Sequence, residues 1–209
     1  MTYAHWNEDL ATDFERDGVV KLPNVLAHNE VATLRASVEL QCDAVSRSAT
    51  GYDFEAIARQ VWAGGEDLDV GAAQRFDVAA LADVIKSDPD ARPLQEPISA
   101  GDNHGAFVYE ASGWRSFRSI RETALDSYLP ELAHRLMDAD KVHFWEDTTF
   151  AKKPFTRQKT AFHQDLGFNQ FKGGESVVFW VALDHVTVKS GGLKYVRGSH
   201  KWDQTYAPN

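Results

Sequence analysis

Cysteine is nearly missing from this chain. Cys42 is the single one among 209 residues, so no intrachain disulfide can form, and a reducing, cytoplasmic setting is the expected one. Basic clusters are missing too. Lys and Arg number 22 against 31 Asp and Glu, a net charge of −9, which argues against a nucleic-acid partner or an anionic membrane surface. Long apolar runs are lacking: the longest, Val177 to Leu183, falls far short of the roughly 20 residues that cross a bilayer. Met1 to Asn7 is polar where a secretion signal would be basic and then apolar. No internal repeat, low-complexity tract or linker interrupts the chain, and 209 residues suffice for one soluble domain with a proper core.

What is present begins with a short helix. Asn7 can cap it, Leu10 and Phe14 lie four apart on one face, and Gly18 can end it. Val19 to Leu22 reads as a short strand stopped by Pro23. A longer helix over about 29–46 carries Val31, Leu34, Val38 and Val45 as an apolar stripe, with Glu30, Arg35 and Glu39 off it. Cys42 fits as a packing residue of that helix. Tyr52, Phe54, Ile57, Ala58, Val61 and Trp62 predict another helix, and Val78, Leu81, Val84 and Ile85 a further one. Gly64 to Asp67, Asp88 to Asp90, Pro93 and Pro97 read as loops. Gly105 to Glu110 predicts a strand, Trp114 to Thr123 a helix, and Pro130 the first residue of a helix bearing Leu132, Leu136 and Met137. Lys141 to Lys153 alternates as a strand, with His143, Trp145, Asp147 and Thr149 on one face, until Pro154 stops it.

The chemistry concentrates after that. Thr160 to Asp165 reads as a strand end with His163 and Asp165 two apart, hence on one face, and Gln164 on the other. An imidazole beside a carboxylate supplies two corners of the 2-His-1-carboxylate triad that holds a non-haem Fe(II) with open positions. His-x-Asp alone is common, and a surface pair on an exposed strand remains the competing reading. Two further strands follow, Ser176 to Asp184 and Leu193 to Arg197, joined through the Gly191-Gly192 turn.

Several segments together resemble the phytanoyl-CoA dioxygenase family of Fe(II)/2-oxoglutarate oxygenases. They are Phe14 to Pro23, His163-Gln164-Asp165-Leu166, Trp180 to Asp184, Ser190-Gly191-Gly192-Leu193 and Arg197-Gly198-Ser199-His200-Lys201, in that family's order. The resemblance implies a mainly β fold with flanking helices: a double-stranded β-helix (jelly roll, cupin-like) core, with 1–140 as helical N-terminal part and support and 141–209 as the first half of that core. It implies Fe(II) on His163 and Asp165, with 2-oxoglutarate as cosubstrate near Thr149, Gln164 and Trp180, although Gln164 leaves the His163 face by simple alternation and Trp180 fits a core position equally well. The expected activity is hydroxylation of a small-molecule or lipid-like substrate with release of succinate and CO2. Asp165 itself points to hydroxylation, because related halogenating enzymes lack that carboxylate. His200 belongs to a motif that is a structural turn in the family, whose distal metal His, and the Arg that pairs with 2-oxoglutarate, come later than Asn209. A double-stranded β-helix needs about eight strands, and 141–153, 158–165, 176–184 and 193–197 supply four. The expectation is therefore a core incomplete at the C-terminus, finished by a further C-terminal segment or a second chain. The alternative function is a non-catalytic small-molecule binding module on the same scaffold.

Overall fold

In the computed structural model, which describes residues 6–44, 51–64, 82–83, 85–87, 92, 105–167 and 175–206, Asn7 opens the first helix as its sequence demands. Its side-chain oxygen accepts the Leu10 N–H at 2.8 Å, and α1 runs Glu8–Asp17 until Gly18 takes the left-handed conformation at φ 75°. Two compact units follow from the chain's contacts: residues 1–35, 117–145 and 162–209 form the first, and 36–116 with 146–161 the second. Helix α2, His28–Asp43, runs through the division. Its stripe is the expected one, with Leu34 and Cys42 buried, Val31 and Val38 half-buried, and Glu30, Arg35 and Glu39 exposed.

The second unit is built on a three-stranded antiparallel sheet in the order β1-β2-β3: Tyr52–Asp53, Phe107–Ala111 and Thr148–Lys152. Tyr52 stands opposite Tyr109, and Tyr109 opposite Phe150, so an aromatic row crosses all three strands. The Tyr52 and Tyr109 rings stack at 4.8 Å, and Tyr109 meets Phe150 edge-on at 5.4 Å. Asp53 ends β1 and starts α3, Phe54–Trp62: its Oδ1 accepts the N–H groups of Glu55, Ala56 and Phe107 at 3.0, 3.3 and 2.9 Å. One face of α3 contributes Ile57, Ala58 and Val61 to a core closed by Ile85. Each such aliphatic removed from water stabilises by about 1.5–3 kcal/mol.

The first unit pairs α4, Arg118–Leu125, with α5, Leu129–Leu136, and α1 packs on α5. Ile120, Tyr128, Leu132 and Ala133 are buried in this helix pair and its connection. Pro130 sits in the first turn of α5, where a missing N–H costs nothing. From 176 to 184 burial alternates without a break: Val177, Phe179, Val181 and Leu183 are half-buried, and the residues between them exposed. Among the described residues no helix is long and apolar enough to cross a membrane.

Several elements differ from the sequence expectation. The helix expected over 114–123 is split into a 3-10 turn, Gly113–Arg115, and α4, because the Asp147 carboxylate accepts the Gly113 and Trp114 N–H groups at 3.1 and 2.9 Å. The same capture shortens the strand expected over 141–153 to β3. Residues 19–22, 158–164, 176–184 and 193–197 carry no ladder among the described residues. Alternation fixes which side chains share a face, whereas a ladder also needs a neighbour. Residues 65–67, 78, 81, 84, 88–90, 93 and 97, which figure in the expected helix and loops of the middle region, lie outside the described residues, as does Val45.

Candidate metal centre

Backbone anchoring precedes the site in the second unit. Thr156 Oγ1 donates to the Ala106 carbonyl at 2.7 Å, and Ala106 N–H returns a bond to the same hydroxyl at 3.1 Å. Two residues on, the fully buried Glu55 accepts the N–H groups of Arg157 and Gln158 on Oε2, both at 3.0 Å. The chain then enters the first unit at Phe162.

There His163 Nε2 lies 3.1 Å from Asp165 Oδ1. The two side chains therefore meet, although Asp165 opens a 3-10 turn, Asp165–Gly167, where a strand end was expected, and both remain in reach of solvent, with 34% and 57% of their surface exposed. The Tyr195 phenol is pushed above its usual range, first by partial desolvation and then by the negative charge of Asp165. Between the pair, Gln164 faces elsewhere: its Oε1 accepts the Tyr206 N–H at 2.7 Å and its Nε2 donates to the Gln204 carbonyl at 3.3 Å.

The donor set suits a divalent transition metal. Bonds of about 2.1 Å to imidazole nitrogen and carboxylate oxygen, set at right angles, put adjacent donors roughly 3.0 Å apart, and the observed separation matches that. A proton shared between the two groups would hold them equally well, so metal and proton compete for one place. Among the described residues no third His, Cys, Asp or Glu joins them in a ligand cluster.

The remaining sequence candidates are placed as follows. Trp180 is 45% exposed on the outer face of the alternating 176–184 segment. Thr149 lies in β3 of the second unit, buried, with Oγ1 donating to Gln41 Oε1 at 2.9 Å. His200 is held elsewhere in the first unit: its Nε2 donates to the Glu15 carbonyl at 2.9 Å at the end of α1. Gly198 N–H bonds the Asp17 carbonyl at 2.8 Å, and Arg197 Nε stands 3.5 Å from the Asp17 carboxylate. The 197–201 segment is thus a turn docked on a helix terminus. His143 and His185 are exposed.

Sequence reasoning missed Glu55, Asp53 and the partners of Gln164. Asp53 had a signal, since an Asp immediately before a periodic apolar run is an N-cap pattern. Glu55 and Gln164 had none, because their partners lie 102 and 42 residues away.

A family model, phytanoyl-CoA dioxygenase, matches residues 14–209. No curated protein and no solved structure matches the chain significantly.

Proposed function

The chain belongs to the phytanoyl-CoA dioxygenase family, whose members are Fe(II)- and 2-oxoglutarate-dependent oxygenases, and from that premise we propose that it hydroxylates a small-molecule or lipid-like substrate, releasing succinate and CO2. The observation that carries this reading is the 3.1 Å approach of His163 Nε2 to Asp165 Oδ1. His163, neutral, and Asp165, ionised, would hold Fe(II) and leave adjacent positions for cosubstrate and dioxygen. A bound Fe(II) with 2-oxoglutarate supplies the oxygen-activating chemistry, while the chain supplies orientation and exclusion of water. Asp165 occupies the place that halogenating relatives leave to halide, which favours hydroxylation. Trp180 is a proposed cosubstrate contact.

The fold that goes with this function is a double-stranded β-helix with helices on its flank. Unbroken burial alternation over 176–184 supports it, since a residue period of two belongs to a strand. Val178, Trp180, Leu193 and Tyr195 are exposed there at 45% or more, and a further segment or a second chain that completes the barrel would cover them. The lone buried Cys42 suits a reducing, cytoplasmic setting.

The full-length protein given Fe(II), 2-oxoglutarate and dioxygen should form succinate, and its Asp165→Ala variant should not. Succinate formation that survives Asp165→Ala would refute the assignment. No succinate while Mn(II) still binds would favour the alternative, a non-catalytic small-molecule binding module.

A further inference from the structure

Gln164 bridges its carboxamide to the backbone on both sides of Thr205, accepting from Tyr206 N–H at 2.7 Å and donating to the Gln204 carbonyl at 3.3 Å. Accepting from one residue and donating to the carbonyl two residues before it is the bonding pattern of a residue in a parallel ladder. The pattern matters because residues 158–164 carry no backbone ladder among the described residues. In an ordinary sheet the ladder prevents a strand from rolling about its own axis. Here the side chain of the middle residue of His163-Gln164-Asp165 makes those bonds instead. The segment it grips is fixed at its other end. Trp202 and Tyr206 meet edge-on at 6.3 Å, and the preceding turn docks on α1 through Gly198 N–H to the Asp17 carbonyl and His200 to the Glu15 carbonyl. All of these residues belong to the first unit.

We propose that Gln164 is a positioning residue: its clamp on residues 204–206 fixes the roll of the strand end, and so aims His163 and Asp165 at one point. The inference rests on the proposed metal site, and it gives Gln164 a role apart from any cosubstrate. Removing a group that orients metal ligands typically weakens metal binding by about 10–100-fold.

The test measures Mn(II) affinity by electron paramagnetic resonance without 2-oxoglutarate, and hydrogen exchange at the Tyr206 amide without metal. Gln164→Ala should weaken Mn(II) binding by about 10-fold or more and speed Tyr206 exchange. Tyr206→Pro, which deletes the donor and leaves Gln164 intact, should weaken binding similarly, and the double variant should be no worse than either alone. Gln164→Glu, which keeps the acceptor and loses the donor, should fall between, and it serves if the proline variant fails to fold. Unchanged Mn(II) affinity in Gln164→Ala, with only 2-oxoglutarate binding weakened, would overturn the inference, as would unchanged Tyr206 exchange. Asp165→Ala separates the two claims: Mn(II) binding that survives it refutes the metal site, and the positioning role falls with it.

Discussion

Gly18→Ala should destabilise the protein through one identifiable clash. Gly18 sits at φ 75°, and a Cβ added there would overlap Nδ1 of His200 and stand 2.7 Å from its Cγ. The left-handed conformation costs a residue with a Cβ about 1–2 kcal/mol. Displacing the ring adds the loss of the 2.9 Å bond from His200 Nε2 to the Glu15 carbonyl, about 1 kcal/mol for an ordinary hydrogen bond. The sum is about 2–3 kcal/mol, measurable as a lower urea midpoint at unchanged slope. His200→Ala alone should cost about 1 kcal/mol. In the double variant the ring is gone and there is nothing left to strike, so its cost should not exceed that of Gly18→Ala, a coupling of about 1 kcal/mol. Losses that simply add, to within about 0.3–0.5 kcal/mol, would refute the packing of His200 on the end of α1.

Three further outcomes are expected. Glu55→Ala strands the N–H groups of Arg157 and Gln158, at about 1–3 kcal/mol each, whereas Glu55→Gln keeps an acceptor for both; thermal melts showing equal losses would contradict the anchoring role. Burial raises the Asp147 carboxyl above its ordinary value of 3.8, so the native state binds that proton more readily, and the group's contribution falls as pH rises above 3.8 toward the raised value; Asp17, held low first by its hydrogen bond from Arg16, contributes above its ordinary 3.8 and loses that contribution as pH falls below it. Asp147→Asn should therefore flatten the decline toward higher pH, and Asp17→Asn the loss on the acid side, in denaturant melts taken across that range. Cys42, pushed up to about 11 by burial, should not react with a disulfide reagent at pH 8 until the protein is unfolded; prompt reaction of the native chain would place the thiol at the surface.

How much of this was legible follows from sequence separation. The ends of α1 were readable because Asn7 and Gly18 act on backbone groups three or four residues away. The nearness of His163 and Asp165 was readable from their two-residue spacing, but the 3-10 turn that Asp165 opens was not. The break between Gly113–Arg115 and α4 was not, because the carboxylate that captures the Gly113 and Trp114 N–H groups is 34 and 33 residues distant. Likewise β1 pairs with β2 across the whole middle region, where alternation names a face and never a partner.

The same distinction decides what the matching motifs mean. Phe14 to Pro23 and Arg197 to Lys201 stand near opposite ends of the sequence, and each looks like an independent signature. In the fold they meet: the Glu15 and Asp17 carbonyls accept from His200 and Gly198, and Arg197 approaches the Asp17 carboxylate. A histidine in such a motif invites assignment to the metal, yet its ring bonds a helix-terminal carbonyl, a group with no intrahelical partner. The chemical information in this chain is therefore narrower than its motif content. On the proposed reading it lies in His163 and Asp165, and the docked ends hold the turn that leads into the segment Gln164 bonds.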